Sequence, residues 1–139
     1  MASSLQELLA HARAQLGAFG LASADSTAGS VAAAIRTRSG KIYTGICVDL
    51  PCGIGFCAEH AAAAEMLKAR ETEIDAVIAV HASGVLSPCG RCRELLALLD
   101  ERNFEATIFL AEDRSAKLRE LLPEHWSSVS STQRSQNSK

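Results

Sequence analysis

Hydrophobic and polar residues follow two different periods along this chain, one typical of helices and one typical of strands. Near the N-terminus, leucines recur at spacings of three, four and seven, with charged and amide residues between them. This spacing predicts a helix that ends near Gly17 or Gly20. The segments SVAAAIRT (30–37) and KIYTGICV (41–48) then flank the short stretch RSG. They predict a β-hairpin with a tight turn.

The second half of the chain predicts alternating helices and strands. After a glycine- and proline-containing loop, the predicted elements are an alanine-rich helix from Cys57 to about Arg70, a strand at AVIAVHA (76–82), a helix within SPCGRCRELLALLD (87–100), a strand at EATIFLA (105–111) and a helix at SAKLRELL (115–122). This order predicts an α/β fold, in which helices cover a mixed sheet with at least four strands readable from the sequence.

Composition fits one ordinary globular domain. With 139 residues, of which 47% are hydrophobic, the chain can bury a single core, and we expect one domain over residues 1–126. Residues 127–139 contain one aliphatic residue, which predicts a mobile polar tail.

Charge and hydropathy indicate which partners and which compartment to expect. A net charge of -2 with scattered lysines and arginines offers no basic stripe for nucleic acid. We find neither a signal peptide nor an apolar run long enough to span a membrane. We therefore expect a cytoplasmic protein without nucleic-acid or membrane partners, whose five cysteines stay reduced.

Three of the cysteines lie at the starts of two predicted helices. Cys57 precedes Glu59 and His60, and Cys89 and Cys92 form a Cys-x-x-Cys pair. The positive end of a helix favours thiolates, and three thiolates could hold Zn²⁺ with a fourth position open to water, as in catalytic zinc sites. Glu59 would then be placed as a general base.

The same residues allow two other interpretations. The Cys-x-x-Cys pair could be a redox pair, although the third cysteine would then have no role. His60 could instead complete a closed structural zinc site with the three cysteines. Glu59 would in that case be a solvated residue near a helix start.

The segments CAEH (57–60) and PCGRCRE (88–94) resemble the cytidine deaminase family, whose small homotetrameric members carry Cys-Ala-Glu-Arg and Pro-Cys-Gly-x-Cys-Arg motifs. Weaker similarity in RSGKIYTG, TGICVD and LRELLPEHW extends the resemblance from about Ser30 to Trp126. It implies a three-layer αβα sandwich with a mixed five-stranded sheet and a homotetramer. It further implies Zn²⁺ held by Cys57, Cys89 and Cys92, with Glu59 as the proton shuttle.

The implied reaction replaces the exocyclic amine of a pyrimidine nucleoside, such as cytidine or deoxycytidine, by a carbonyl and releases ammonia. By the same resemblance, the backbone N–H of Ala58 holds the ring carbonyl oxygen. Trp126 matches a C-terminal aromatic residue that reaches a substrate pocket.

Several positions depart from the family pattern. The ribose-binding Asn and Glu of the family correspond here to Cys47 and Asp49, and an aromatic position corresponds to Gly29. His60 replaces the arginine that donates to the zinc thiolates, a role in which we expect His60 to be helped by Arg91 or Arg93.

These departures leave two alternatives to a pyrimidine nucleoside deaminase. One is a deaminase of a modified nucleoside, a nucleoside antibiotic or another aminated heterocycle, as in the related blasticidin S deaminase branch. The other is a non-catalytic structural zinc module.

Overall fold

The computed structural model of the protein describes residues 2–128, and its helices and strands follow the predicted order closely. The helices are α1 (Ala2–Gln15), α2 (Ala58–Lys68) and α3 (Gly90–Leu99). The strands are β1 (Phe19–Gly20), β2 (Thr27–Thr37), β3 (Ile42–Asp49), β4 (Ile74–His81), β5 (Gly84–Leu86), β6 (Thr107–Ala111) and β7 (Arg114–Lys117). Among the described residues, no helix is long and apolar enough to cross a membrane.

The five longer strands form one mixed sheet in the order β3-β2-β4-β6-β7. The predicted hairpin is the antiparallel pair β2 and β3, and β4 pairs with β6 in parallel through a connection that contains α3. The short strands β1 and β5 add to β2 and β4. The structure thus confirms the predicted α/β fold with a mixed sheet.

Two hydrophobic clusters lie on opposite faces of this sheet. Because successive strand residues point to opposite faces, residues 32 and 34 of β2 and 76, 78 and 80 of β4 pack on the α1 side, and residues 33 and 35 of β2 and 77 and 79 of β4 pack on the side of α2 and α3. The α1 side contains Leu8, Leu9, Ala12, Ala32, Ala34, Ala76, Ile78 and Val80. The other side includes Ala33, Ile35, Ala62, Met66, Val77, Ala79 and Leu96. The molecule therefore has three layers.

Helix α2 lies unusually close to β3. A Cβ atom at Gly45 of β3 would come 2.3 Å from the backbone nitrogen of Ala62 and 2.6 Å from the Cβ of Ala61. No side chain fits between the two elements at this point. Glycine on the strand and small residues on the helix therefore set how close the N-terminal half of α2 sits to the sheet.

The C-terminal end of α2 is tied to the hairpin by one carboxylate. Glu71 accepts hydrogen bonds from the hydroxyls of Thr37 (2.9 Å), Ser39 (2.6 Å) and Tyr43. These three donors lie in or beside the β2–β3 turn. Together with the Gly45 contact, they fix both ends of α2 against the hairpin.

Two expectations for the C-terminal region need correction. The segment 115–122, predicted to be a helix, forms the end of β7 and then a 3-10 turn at Leu118–Leu121. The polar tail was expected from residue 127, but Ser127 and Ser128 belong to a 3-10 turn with Trp126. The remainder of that tail lies outside the described residues.

Candidate functional site

The three predicted metal ligands converge at the starts of α2 and α3. Cys57 and Cys89 are the N-cap residues of these two helices, and Cys92 lies in the first turn of α3. The Sγ atoms of Cys57 and Cys89 are 3.6 Å apart, and those of Cys89 and Cys92 are 3.4 Å apart. All three sulfur atoms lie within 4.8 Å of one another.

This sulfur cluster fits a zinc ion. At a Zn–S distance of about 2.3 Å, two sulfurs of a regular tetrahedron are about 3.8 Å apart, close to the separations of 3.4 and 3.6 Å. The ring of His60 is not part of the cluster. The structure therefore brings together three thiol ligands and does not support His60 as a fourth one.

Glu59 lies against the cluster and is almost completely buried. Its side chain is 4% exposed, and its Oε2 accepts a hydrogen bond from the thiol of Cys92 at 3.0 Å. A solvated residue at a helix start would not be buried in this way. The placement favours a chemical role for Glu59 beside the metal ligands.

The three thiols differ in how readily they ionise. The pKa of Cys89 is lowered: burial opposes its thiolate, but hydrogen bonds to its sulfur from the backbone of Cys92, the thiols of Cys92 and Cys57 and the backbone of Arg91 together outweigh that effect. Burial raises the pKa of Cys57 and, more strongly, that of Cys92, whose carboxylate neighbour Glu59 adds to the effect. The first turn of α3 thus supplies backbone donors to a ligand sulfur.

Two side chains expected to donate to the sulfurs, His60 and Arg93, form no hydrogen bond to them among the described residues. The Nε2 atom of His60 is buried without a hydrogen-bond partner, and burial, followed by the charge of Arg91, lowers the pKa of His60. Arg93 donates to the carbonyl of Pro88 (2.9 Å) and to the hydroxyl of Ser87 (3.0 Å). Arg93 therefore holds the loop that precedes Cys89.

A cavity of about 420 Å³ opens beside the cluster. Of the predicted site residues, it brings together Cys47, Asp49, Cys57, Ala58, Glu59, Cys89 and Arg91. Its lining also includes Ser30, Phe56, Leu86 and Ser87, which sequence reasoning missed. Only Phe56 gave a signal in the sequence, as an aromatic residue directly before Cys57.

Within the cavity, the sulfur of Cys47 is surrounded by protein groups. It accepts a hydrogen bond from the backbone N–H of Val31 at 3.3 Å and lies 3.3 Å from the hydroxyl oxygen of Ser30. Its S–H group donates to Oδ2 of Asp49 at 3.7 Å. Cys47 is 5% exposed. The sulfur of Cys47 is therefore engaged by Val31, Ser30 and Asp49 and is not open to a ligand.

Two further positions from the family resemblance, Gly29 and Trp126, do not line this cavity. Gly29 has a φ of +85°, and a Cβ atom there would come 2.3 Å from the carbonyl oxygen of Gly17, so a side chain is excluded at this position. Trp126 is 60% exposed and lines a different cavity with Phe104 and His125. Its indole N–H donates to Glu94 at 2.7 Å. Within one chain, Trp126 does not contribute to the cavity beside the cysteines.

Comparison with known proteins agrees with this geometry. The family model described as "Cytidine and deoxycytidylate deaminase zinc-binding region" matches residues 6–107. A curated relative, blasticidin-S deaminase of Bacillus cereus, is 32% identical over 77 residues, which are 48% of this chain and 55% of the relative. The chain thus spans about half the length of that protein.

Solved structures of cytidine deaminases are similar to this chain over a longer part of its length. The crystal structure of cytidine deaminase from Mycobacterium leprae is similar with a TM-score of 0.68 and 26% identity, covering 88% of this chain and 97% of that one. The cytidine deaminase from Bacillus anthracis gives a TM-score of 0.69 at 26% identity, with coverage of 90% and 91%.

Proposed function

Because this chain belongs to the family defined by the cytidine and deoxycytidylate deaminase zinc-binding region, we propose that it is a zinc-dependent hydrolytic deaminase. The proposed substrate is a pyrimidine nucleoside such as cytidine or deoxycytidine, whose exocyclic amine is replaced by a carbonyl with release of ammonia. The observation that carries the proposal is the position of Glu59. This carboxylate is buried 3.0 Å from the sulfur of Cys92, in the cavity that the three-cysteine cluster adjoins.

The proposed chemistry assigns a task to each residue. Cys57, Cys89 and Cys92 would hold the zinc ion, which lowers the pKa of water toward about 7 and so supplies a nucleophile at neutral pH. Oε2 of Glu59 would take one proton of that water and pass it to the ring nitrogen. It would then take the proton that remains on the added hydroxyl group and give it to the amine, so that ammonia leaves and a carbonyl remains. Its burial excludes bulk water from these transfers. Ala58 opens α2, so its N–H lacks an intrahelical acceptor and is free to bind the ring carbonyl oxygen.

The proposal is tested by ammonia release from the zinc-loaded protein with cytidine, deoxycytidine, cytosine and adenosine. We expect Glu59→Gln to keep its zinc and to lose about 100- to 10,000-fold in turnover, the range for loss of a general acid–base group. Glu112→Gln, at an exposed position that pairs with Arg13, is the matched control and should retain activity. Undiminished turnover in zinc-loaded Glu59→Gln would refute the assigned role.

A nucleoside antibiotic or another modified nucleoside is the second candidate substrate. It is favoured by the similarity to blasticidin-S deaminase and by the enclosed sulfur of Cys47, which leaves Asp49 as the acidic group at this side of the cavity. Adding blasticidin S to the panel separates the two substrates. If neither class is deaminated while zinc remains bound, the structural zinc module becomes the better interpretation.

We further propose a cytoplasmic homotetramer. Large apolar side chains at the surface support assembly, namely Phe19, Ile54, Phe56, Leu98 and Trp126. In an assembly, Trp126 would line the pocket of a neighbouring copy.

The proposed compartment rests on the cysteines. The free state of all five cysteines is in keeping with a reducing compartment. Light scattering after size exclusion measures the mass, and fractionation of cells tests the compartment.

A further inference from the structure

Arg93 is a half-buried residue of α3 whose side chain bonds back to residues that precede the helix. Its Nε atom donates to the carbonyl of Pro88 at 2.9 Å, and its Nη2 atom donates to the hydroxyl of Ser87 at 3.0 Å. Its Nη1 atom donates to the carbonyl of Leu121 at 3.4 Å. Because a guanidinium holds its donors in one rigid plane, these contacts fix three separate points of the chain relative to α3.

Segment 87–88 has its hydrogen bonds with Arg93. It lies between the end of β5 at Leu86 and the N-cap residue of α3, Cys89. Within residues 2–128, neither Ser87 nor Pro88 forms a backbone–backbone hydrogen bond, and proline has no N–H group to donate. The side chain of Arg93 therefore does for this segment what backbone pairing does for the strands beside it.

The same segment leads directly into the sulfur cluster. The Sγ atom of Cys89 lies 3.6 Å from that of Cys57 and 3.4 Å from that of Cys92. Ser87 and Cys89 also line the cavity that contains Glu59. A shift of segment 87–88 would therefore move a metal ligand and the cavity wall together.

The third contact of Arg93 reaches a firmly held part of the chain. Leu121 ends the 3-10 turn Leu118–Leu121. The side chain of Leu118 is fully buried, and its N–H donates to the carbonyl of Ala106 at 3.0 Å. Arg93 thus joins a segment without backbone partners to a turn that is anchored in the core.

We propose that Arg93 is a positioning residue of the metal site: its guanidinium holds segment 87–88 against the turn Leu118–Leu121 and so sets the position of the Cys89 sulfur. This inference deepens the proposed function, because it concerns the metal site on which that function rests. Removal of a side chain that orients a metal ligand without touching the metal commonly costs about 10- to 100-fold in metal affinity.

A different role for Arg93 would be to offset the negative charge of the three thiolates. Lysine separates the two roles, since it keeps the positive charge but lacks the planar fork that reaches several acceptors at once. If Arg93 acts through its hydrogen bonds, Arg93→Lys should behave like Arg93→Gln. If it acts through its charge, Arg93→Lys should behave like the wild type.

Glu94, the next residue of α3, offers a matched control. Its carboxylate accepts a hydrogen bond from the indole N–H of Trp126 at 2.7 Å and lies 2.7 Å from Nε2 of His125. It therefore also ties α3 to the C-terminal part of the chain, but among the described residues its hydrogen bonds do not include segment 87–88. Glu94→Ala shows what a loss of stability alone does to zinc binding.

The experiment measures zinc affinity by competition with a colorimetric chelator, together with Tm and the visible spectrum of the Co²⁺-loaded protein, which reports the arrangement of thiolates around the metal. We expect Arg93→Gln and Arg93→Lys to bind zinc about 10- to 100-fold more weakly than wild type and to change the Co²⁺ spectrum, whereas Glu94→Ala should stay within about threefold. Ser87→Ala removes one of the three contacts and should have an intermediate zinc affinity. It takes the place of Arg93→Gln should that variant not fold.

Three results would overturn the inference: unchanged zinc affinity in Arg93→Gln and Ser87→Ala, wild-type affinity in Arg93→Lys, or an equal loss of affinity in Glu94→Ala. Each is measured without turnover, so ammonia release judges the deaminase separately. Arg93-dependent zinc affinity in a protein that deaminates no compound would uphold the inference and count against the deaminase. A wild-type protein that binds no zinc would overturn both.

Discussion

Replacement of Gly45 by alanine should displace the helix that carries Cys57, Ala58 and Glu59. The added Cβ atom would lie 2.3 Å from the backbone nitrogen of Ala62, and ordinary van der Waals contact begins at 3.4 Å, which is 1.1 Å further away. The neighbouring atoms are backbone and a Cβ atom, which cannot rotate out of the way. Helix α2 must therefore retreat from β3 by about 1 Å. Overpacking of this kind costs about 1–3 kcal/mol.

For a chain of this size, that cost corresponds to a fall in Tm of roughly 4–12 °C. Because Cys57 caps the displaced helix while Cys89 caps α3, the sulfur cluster should also loosen. We expect faster zinc release to a chelator and a kcat lowered by up to about 100-fold, the effect of a 1 Å misplacement. Circular dichroism and a colorimetric chelator measure these changes. Gly20→Ala, where a Cβ atom meets nothing within 4 Å, is the control. Equal Tm and zinc-release rates for Gly45→Ala and Gly20→Ala would refute the reasoning.

Three further predictions concern stability and metal content. Asn103 is fully buried and bonds three backbone groups around β4 and α3, so Asn103→Ala should lower the free energy of unfolding by about 2–4 kcal/mol in urea titrations. Hydrogen bonds, first from Ser39, lower the pKa of Glu71; its stabilisation is therefore present above the pKa of the unfolded state and lost as the pH falls through the folded value. Glu71→Gln should remove that acid-dependent loss, and an unchanged pH profile would contradict the assignment. Cys92→Ala should abolish zinc binding by mass spectrometry, whereas Cys52→Ser, at an exposed residue outside the cluster, should retain one zinc per chain.

The elements with a clear hydrophobic period were predictable from the sequence, and so was the cluster of three cysteines that could hold a metal ion. The two motifs 57–60 and 88–94 are each local, and each begins a helix, so short-range spacing was enough to locate Cys57, Glu59, Cys89 and Cys92. The two motifs meet because α2 and α3 both cover the same face of the sheet. This arrangement follows from the order of strands and helices.

Segment 115–122 shows where local periodicity fails. Its leucines fit a helix, but the open edge of β6 offers backbone partners that pair with β7. Leu118 then donates its N–H to the carbonyl of Ala106 at 3.0 Å, which holds the following turn against the sheet. Tertiary pairing therefore outweighs helix propensity here.

The substrate side of the cavity was hard to predict for a related reason. Ser30 comes from β2, Phe56 from the loop before α2, and Ser87 from the loop before α3. No sequence spacing links these residues, so only the folded sheet shows that they share one cavity. The contacts that enclose the sulfur of Cys47 were hidden for the same reason.

The cysteines of the cluster lie far apart along the chain, so we expect the cluster to form late in folding. The hairpin of β2 and β3 closes through residues 38–41, whereas Cys57 and Cys89 are 32 residues apart. Local pairs form early because their loops close at a small entropic cost, and distant ones follow. The sulfur cluster should therefore be absent from the transition state. Interactions formed after that state slow unfolding and leave the folding rate unchanged. In stopped-flow measurements, zinc should lengthen the lifetime of the native protein without hastening its formation.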